Sequence, residues 1–453
     1  MTSNSHKLES LKEIVGPQYI KSDAETLSAY AVDGVVPWAV VFPGDPQQVS
    51  EVVQLACKEK LALVPWGSGS KMAMGNLPLR LDLVVCTKRL NRVIDIDIAN
   101  LTVTVQAGVR FKDIQSNLGE CFIPMSPPYR DLATLGGIIA ANSSGPTRLL
   151  YGLPRDIVLG LDYVAPNGEI VSTGGKTVKN VSGYDMCKLM IGSQGSVGIV
   201  CAMTLRLLPW PERLGTCLSA FATLSDASRF VDRIFETSLL PAAVEILNGR
   251  AYELLRPEGA TGVKTGGYAT AVAFEGFHEP VDRMASEVSE MALESGAEKD
   301  IYLQEDQHLG FWNRYSNLVP ALSKRYRDLV SLKLNYPISS YPEVIQFGTS
   351  LVSDSHIDHA LLAHAGTGIA WIHLLVDPRN AKATDRVVSV SERLLDRCQG
   401  LGGNLVVERA MPELKRRLPT WGLPREDLVV MRRIKQQMDP SGLFCPGRFV
   451  GGI

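Results

Sequence analysis

Short apolar runs and a helical stripe alternate near the start of the chain. Residues 39–42 form an apolar run that ends at a Gly-Asp-Pro turn, and Val49, Val52 and Val53 then recur at helical spacing. A second apolar run, residues 61–64, leads into a glycine-rich segment. This order of strand, helix and strand predicts a small α/β unit.

Period-two alternation replaces the helical period after this unit. Leu81, Leu83 and Val85 share one face, and alternating apolar residues continue to residue 110, which predicts antiparallel or mixed sheet. Residues 111–118 predict a short helix. Residues 157–173 predict a hairpin, because a Pro-Asn-Gly-Glu turn divides them.

The pattern changes again at Pro209-Trp210-Pro211, a candidate domain boundary. Beyond it glycine clusters are rarer and amphipathic helices alternate with strands, which predicts an α+β cap domain. The predicted helices are 225–237, 281–296 and 383–399, and the predicted strands are 269–275, 330–335 and 370–376.

Composition and charge limit the function classes. The 453 residues, 45% of them hydrophobic, are enough for two or three domains with large cores. The net charge of -2 argues against a nucleic-acid or anionic-membrane partner, and no apolar run is long enough for a transmembrane segment. The eight cysteines form no Cys-x-x-Cys pair, which argues against an iron–sulfur cluster and suits a reducing cytoplasm.

Two glycine-rich segments carry the first chemical signal. Residues 65–70 read Pro-Trp-Gly-Ser-Gly-Ser, and residues 132–145 contain Thr-Leu-Gly-Gly and Asn-Ser-Ser-Gly. Each exposes backbone N–H groups to close approach, so together they can cradle one pyrophosphate. The Rossmann fingerprint is not met, because Gly67-Ser68-Gly69 lacks a third glycine in register. A flavin dinucleotide in another fold is therefore predicted.

Residues 36–213 resemble the FAD-binding domain of the vanillyl-alcohol oxidase superfamily, of the p-cresol methylhydroxylase (PCMH) type. The matching stretches are PWGSGS, ATLGGIIAANSSGP, KNVSGYD and IGSQGSVGIV, and the resemblance continues through RRIKQQMDPSGLFCPGRF near the C-terminus. It implies an α+β fold with three parts. These are a two-subdomain PCMH-type FAD-binding domain over residues 1–212, a ferredoxin-like α+β cap over 213–405, and a C-terminal segment, 406–453, that returns to the FAD domain.

The resemblance also implies which residues hold FAD. The first loop and the Thr-x-Gly-Gly segment hold the pyrophosphate in the family, and the segments that follow contact the flavin and the adenosine. The implied set is Pro65, Trp66, Gly67, Ser68, Gly69, Ser70, Pro127, Thr134, Gly136, Gly137, Asn142, Ser143, Gly145, Gly198 and Ile199. Covalent members carry a histidine or cysteine in these loops. Here Ser70 ends the first loop and neither loop has a histidine, so noncovalent FAD is expected.

The cap departs from the pattern of the hydroxy-acid dehydrogenases in this superfamily. Their His-x-Gly-Asp-Gly-Asn-x-His motif keeps its first histidine as His364, but Trp371 stands at the second, with His373 two residues on. Their Glu-His-Gly motif keeps Glu408, and Arg409 replaces the histidine that serves as general base in relatives. The predicted catalytic residues are therefore His364, His373, Glu408 and Arg409.

These replacements change the expected chemistry. Arginine stays protonated, so the base for a substrate hydroxyl would be His364 or His373, while Arg409 could pair with a substrate carboxylate. A divalent metal would want about three protein ligands. His364 and Glu408 could supply two, and His373 a third only if its strand were shifted, so no metal is predicted. Arg314, Lys333, Lys415 and Arg448 are further cationic candidates.

Two functions follow from the resemblance. The first is an FAD-dependent dehydrogenase of a small 2-hydroxy acid, glycolate or D-lactate, with hydride transfer to flavin N5 and electrons passed to a separate iron–sulfur or other carrier. The alternative is an FAD-binding accessory or electron-transfer subunit of a glycolate dehydrogenase complex, with little activity alone. Both imply iron–sulfur and second flavoprotein partners and a cytoplasmic location, with peripheral association at the inner membrane face through those partners.

Overall fold

The computed structural model describes residues 2–176, 183–258, 260, 266–376 and 383–453. The chain forms two compact units. The first comprises Met1–Ser144, Leu153–Pro209 and Pro424–Ile453, and the second comprises Gly145–Gly152 and Trp210–Leu423.

A small sheet of order β1-β2-β4-β3 opens the first unit, with β1 (Ile20–Lys21), β2 (Ala39–Val41), β3 (Leu63–Trp66) and β4 (Leu83–Cys86). Strands β2 and β3 both run parallel to β4, and the helix Pro46–Glu59 connects them. That helix begins where Asp45 accepts a 2.8 Å hydrogen bond from the Gln48 amide, with Pro46 at its first position. The predicted strand–helix–strand unit is confirmed.

The alternating stretch that begins at residue 81 belongs to two sheets rather than one. Strand β4 is buried along its whole length, because it is a central strand of the parallel sheet. The antiparallel part begins later, in a five-stranded sheet of order β5-β6-β10-β8-β9. Its strands are β5 (Val93–Asp97), β6 (Thr102–Gln106), β8 (Val158–Val164), β9 (Ile170–Gly174) and β10 (Ile199–Arg206).

Strands β8 and β9 form the predicted hairpin, and β7 (Cys121–Phe122) pairs with β11 (Leu208–Pro209). The helices of the first unit are α1 (Thr2–Val15), α2 (Ala24–Ala29), α3 (Pro46–Glu59), α4 (Phe111–Gln115), α5 (Leu135–Ala140), α7 (Pro154–Ile157), α8 (Met186–Met190) and α17 (Leu428–Met438).

The second unit is built on one antiparallel sheet of eight strands, in the order β15-β12-β14-β13-β17-β18-β16-β19. Its strands are β12 (Arg213–Phe221), β13 (Ala243–Asn248), β14 (Tyr268–Gly276), β15 (Lys299–Gln304), β16 (Val330–Asn335), β17 (His359–His364), β18 (Ile369–Leu374) and β19 (Asn404–Arg409). Its helices are α6 (Arg148–Tyr151), α9 (Leu224–Phe235), α10 (Gly249–Leu255), α11 (His278–Glu294), α12 (Asp306–Ser316), α13 (Leu318–Arg325), α14 (Tyr341–Asp354), α15 (Ala383–Gly400) and α16 (Pro412–Lys415).

This sheet consists of two ferredoxin-like halves joined edge to edge. In each half the chain runs strand, helix, strand, strand, helix, strand, first from β12 to β15 and then from β16 to β19. The halves meet where β13 pairs with β17. The predicted ferredoxin-like α+β cap is therefore present twice over, a duplication that the sequence does not reveal.

The two faces of the sheet are covered differently. Helices α9, α11, α14 and α15 pack on one face over a large apolar core. Helices α10, α12 and α13 pack on the other face, over β12, β13, β14 and β17. On that second face, β16, β18 and β19 carry polar and aromatic side chains, because a strand alternates its residues between faces.

Two predicted boundaries differ from the compact units. Residue 406 falls inside β19, which pairs with β16 at the sheet edge, so the stretch up to Leu423 stays with the second unit and the return to the first begins at Pro424. The segment Gly145–Gly152 also belongs to the second unit. None of the helices in the described ranges is long and apolar enough to cross a membrane.

Candidate functional site

A glycine-lined cavity of about 770 Å³, including its open mouth, lies within the first unit. Most of its lining comes from three stretches of chain, residues 64–72, 136–141 and 193–200, and Thr87 and Ala107 also contribute. Arg448, from the C-terminal return, completes the wall. The cavity is therefore formed by residues from the N-terminal half of the chain together with one residue near its C-terminus.

Glycines let these stretches pack on one another. A Cβ on Gly67 would lie 2.2 Å from Thr134 Oγ1, and a Cβ on Gly136 would lie 2.7 Å from the Ala107 Cβ. A Cβ on Gly137 would meet only Thr134 Oγ1, at 3.2 Å, and otherwise open space. Gly67 and Gly136 thus serve loop packing, whereas Gly137 leaves room in the cavity.

The structure brings most of the sequence-predicted cofactor residues to this cavity. Those that line it are Pro65, Trp66, Gly67, Ser68, Gly69, Ser70, Gly136, Gly137, Gly198 and Ile199. Those outside its lining are Pro127, Thr134, Asn142, Ser143 and Gly145. Thr134 instead accepts a 3.3 Å hydrogen bond from the Gly137 amide at the start of α5, and Gly145 belongs to the second unit.

Two cations at the cavity were not in the predicted cofactor set. Lys71 follows the first glycine loop, and Arg448 is buried with an Nη2 that donates to the carbonyls of Met72 and Met74, each at 2.7 Å. Burial lowers the pKa of Arg448. Lys71 could have been predicted, because a basic residue that directly follows a glycine loop is a local signal. The position of Arg448 could not, because it contacts Met72 across 376 residues of sequence.

The KNVSGYD stretch divides between described and undescribed residues. Residues 179–182 lie outside the described ranges. Tyr184 is 96% exposed, and the Asp185 carboxylate accepts a 3.0 Å hydrogen bond from the Lys188 amide at the start of α8. The described part of this motif therefore caps a helix.

A buried His–Glu pair lies where the two halves of the second unit meet. Glu245 on β13 stands directly opposite His364 on β17, and His364 Nδ1 hydrogen-bonds Glu245 Oε1. The Tyr315 hydroxyl donates to Glu245 Oε2 at 2.5 Å. Burial raises the pKa of Glu245, while the bonds from His364 and Tyr315 act in the opposite direction.

Aromatic and cationic groups extend this pair across the sheet. The Trp371 ring meets the His364 ring edge-on with centroids 4.7 Å apart, and Lys333 Nζ lies 5.6 Å from the Trp371 ring centroid. Within the described part of the chain, no hydrogen-bonding partner reaches His364 Nε2, although the side chain is only 3% exposed. The arrangement leaves one buried imidazole nitrogen to be satisfied by a further group.

The other predicted catalytic residues lie elsewhere on the same face. His373 stands opposite Ser331, whose hydroxyl lies 3.0 Å from His373 Nδ1, and Arg409 is the neighbour of Ser331 on the far side. Glu408 sits in a bulge between the paired residues of β19.

The structure therefore divides the predicted catalytic set into two groups. Ile369 is the residue opposite His364, and His373 lies four residues further along the same strand. At the rise of a β-strand, this separation along the strand is about 14 Å. His364 and His373 cannot serve one reacting atom together. In the part of the chain that the structure describes, no three His, Cys, Asp or Glu residues are grouped to hold a metal ion.

A second buried carboxylate–histidine neighbourhood lies in the first half of the sheet. Glu275 accepts a 2.6 Å hydrogen bond from the Tyr151 hydroxyl, and its Oε1 is 3.8 Å from His308 Nε2. His308 Nδ1 lies 2.8 Å from Thr216 Oγ1. Burial lowers the pKa of His308 to about 4, so this histidine stays neutral.

Sequence reasoning missed Glu245 and Tyr315. A lone acid inside the apolar run Ala-Ala-Val-Glu-Ile-Leu, residues 242–247, is a usable signal, because a carboxylate in a buried strand requires a partner. Tyr315 has no comparable signal, since only the fold brings α12 against β13.

Comparison with known proteins defines the class. Residues 37–174 match the model of an FAD binding domain, and residues 211–449 match the C-terminal domain of FAD linked oxidases. The chain belongs to the FAD-linked oxidases. It binds FAD and is an oxidoreductase.

Curated relatives align along almost the whole chain. Glycolate oxidase subunit GlcD of Bacillus subtilis is 27% identical, with 97% of this chain and 96% of the relative covered. D-2-hydroxyglutarate dehydrogenase of Xanthomonas citri is 28% identical over 98% of this chain and 96% of its own length. D-lactate dehydrogenase of Archaeoglobus fulgidus is 27% identical, with 98% of both chains covered.

Solved structures share the fold at lower identity. p-Cresol methylhydroxylase with substrate bound superimposes with a TM-score of 0.76 at 17% identity, over 99% of this chain and 97% of that one. 4-Ethylphenol oxidase from Gulosibacter chungangensis gives a TM-score of 0.76 at 17% identity, over 98% and 96%. The predicted PCMH-type fold is confirmed.

Proposed function

We propose that this protein oxidises a small 2-hydroxy acid of the glycolate or D-lactate type to the corresponding 2-oxo acid. The observation that carries the proposal is His364, a buried histidine whose Nδ1 is held by Glu245 and whose Nε2 has no hydrogen-bonding partner among the described residues. The relatives named for glycolate, D-lactate and D-2-hydroxyglutarate support this substrate class.

We infer that FAD is held noncovalently in the glycine-lined cavity. The predicted residues on its wall leave backbone groups exposed to the diphosphate, and Lys71 and Arg448 add positive charge. Of the described residues that line the cavity, none is a histidine, cysteine or tyrosine that could form a covalent flavin link. Bound FAD supplies the acceptor for the hydride that leaves the substrate α-carbon. Five predicted cofactor residues lie outside the cavity lining and remain part of the proposal: Pro127, Thr134, Asn142, Ser143 and Gly145.

The residues of the second unit supply the remaining chemistry of the proposal. His364 takes the proton of the substrate hydroxyl. Lys333, which lies at the Trp371 ring beside His364, attracts the substrate carboxylate. Arg409 lies further along the sheet, beside Ser331, and adds positive charge that attracts the acid to this face. His373 and Glu408 complete the polar surface around Arg409.

Electrons leave the reduced protein through a separate carrier in this proposal. All eight cysteines are free, and no three Cys, His, Asp or Glu residues in the described ranges form a group suited to a metal centre. We propose iron–sulfur and second flavoprotein subunits as partners, a cytoplasmic location, and peripheral membrane association through those partners. Reduced, scattered thiols suit that compartment.

A second function is an accessory FAD-binding subunit of a glycolate dehydrogenase with little turnover alone. It is favoured by Arg409, which stands where the resemblance expects a general base and cannot serve as one. The name of the Bacillus subtilis relative, a subunit, agrees with it.

Anaerobic mixing of the purified flavoprotein with glycolate, D-lactate or D-2-hydroxyglutarate separates the two functions. Bleaching of the oxidised flavin absorbance by a 2-hydroxy acid, with formation of the 2-oxo acid, is the expected result for the enzyme. L-lactate serves as the stereochemical control. A flavin that stays oxidised with every acid, and is reduced only after a partner flavoprotein is added, would replace the first function by the second.

A further inference from the structure

We propose that Glu245 and Tyr315 are positioning residues that make His364 the base for the substrate hydroxyl. The inference rests on the proposed function and deepens it. It concerns residues for which neither the sequence motifs nor the relatives provide a role.

The register of the sheet aims Glu245 at His364. The two residues are direct neighbours at the seam between β13 and β17, where three paired residues on each strand join the sheets of the ferredoxin-like halves. Glu245 is fully buried, and each of its carboxylate oxygens has a hydrogen-bond partner, His364 Nδ1 on one and the Tyr315 hydroxyl on the other. The carboxylate therefore has no freedom to turn away.

A carboxylate at Nδ1 fixes the tautomer of the imidazole. Nδ1 carries the proton and donates a hydrogen bond to the Glu245 carboxylate. Nε2 is then unprotonated, and its lone pair can accept a proton. Two aromatic rings also contact the imidazole, the stacked Tyr315 ring with its centroid at 6.4 Å and the edge-on Trp371 ring with its centroid at 4.7 Å. Nε2 is then a proton acceptor held in one orientation.

A second buried histidine near this face, His308, lacks that support. His308 bonds Thr216 and lies 3.8 Å from Glu275, beyond hydrogen-bond distance, and burial lowers its pKa to about 4. A buried histidine without a bonded carboxylate resists protonation, whereas a bonded carboxylate stabilises the imidazolium.

The proton and electron balance is simple. The substrate O–H bond breaks and its proton goes to His364 Nε2, the α C–H bond breaks and its hydride goes to FAD, and the carbon–oxygen double bond forms. Proton transfer converts the His364 imidazole to imidazolium while Glu245 stays a carboxylate. The buried pair therefore changes from one negative charge to no net charge. The titratable groups around it are Tyr315 on α12, Tyr336 after β16 and, beyond Trp371, Lys333.

Glu245→Gln and its matched control Glu275→Gln test the proposal in the FAD-loaded protein. Both glutamates are buried on neighbouring strands of one sheet, and each accepts a tyrosine hydroxyl. We expect Glu245→Gln to slow anaerobic flavin reduction about 100-fold with little change in apparent substrate affinity, and to move the acidic limb of the pH profile. Tyr315→Phe should slow it about tenfold, and Glu275→Gln should leave it within about twofold. Equal losses in both glutamine variants, or none in Glu245→Gln, would overturn the assignment.

A readout without turnover keeps the proposal separate from the proposed function. Nitrogen-15 NMR of the holoprotein labelled at histidine, with His364 assigned by His364→Gln, reports the protonated ring nitrogen. We expect the Nδ1–H tautomer in the wild type and in Glu275→Gln, and its loss or mixing in Glu245→Gln. A wild-type Nε2–H tautomer refutes the positioning role. If no hydroxy acid reduces the flavin while the Nδ1–H tautomer is present, the proposed function fails and the held imidazole stands.

Discussion

At the residue scale, two buried histidines differ in how close each lies to a neighbouring glutamate. His364 and His308 are both buried beside a glutamate and an aromatic cluster. Glu245 bonds His364 directly, whereas Glu275 stands 3.8 Å from His308. Burial lowers the pKa of His308 to about 4, whereas His364 is hydrogen-bonded to a carboxylate.

Gly137 tests the cofactor cavity at a single position. We expect Gly137→Val to weaken FAD binding about tenfold or more, equivalent to about 1.4 kcal/mol, because its side chain enters the cavity with Thr134 Oγ1 as its one near contact. Flavin absorbance per protein and titration of the apoprotein with FAD measure it. Gly136→Val is less informative, since a Cβ there collides with Ala107 and disturbs the fold itself.

Gly175→Val is the matched control for this substitution. Gly175 belongs to the same unit, and a Cβ there meets nothing within 4 Å. Its FAD content should equal that of the wild type. Full FAD content in Gly137→Val would mean that the cofactor does not occupy this part of the cavity.

At the element scale, the C-terminal return completes the first unit. Leu443 and Cys445 exchange hydrogen bonds with Leu63 of β3, so the tail extends the parallel sheet by one short pairing. Lys435 on α17 pairs with Asp439 at 2.6 Å and donates to the carbonyls of Ser196 and Phe444. This one lysine therefore joins α17, the tail and the third stretch of the cavity wall.

Replacement of Lys435 tests this junction. We expect Lys435→Ala to lower the free energy of unfolding of the first unit by about 3 kcal/mol, because it leaves the buried Asp439 carboxylate without its cationic partner. Chemical denaturation of the FAD-loaded protein, followed by flavin fluorescence, measures the change. Lys188→Ala removes an exposed pair with Asp185 in the same unit and should cost less than about 1 kcal/mol. Equal effects of the two alanines would contradict the structural role of Lys435.

At the scale of the whole molecule, the cofactor cavity exists only in the folded chain. Its walls come from residues 64–72, 136–141 and 193–200 and from Arg448, which denaturation separates. We expect acid precipitation of the full-length flavoprotein to release all FAD into the supernatant, because the binding proposed above is noncovalent. Flavin absorbance that remains in the washed pellet would overturn the noncovalent assignment.

The sequence predicts different amounts of structure in the two units. Glycine loops are local signals, and the structure brings the first loop and the Gly-Gly segment to the wall of one cavity. The cap gave only its helices and strands, since periodicity reports burial and not strand order. The pairing of β13 with β17, on which Glu245 and His364 depend, joins positions 119 residues apart and leaves no local trace.

Short motifs were enough to predict the fold class, the FAD cofactor and an arginine, Arg409, where the resemblance implies a histidine base, because these depend on local residue types. The tertiary structure alone revealed that Glu245 bonds His364 Nδ1. It also separated His373 and Arg409 from His364 and brought Arg448 to the cavity. Strand register and the return of the chain set distances between remote residues, and those distances determine hydrogen bonding and charge.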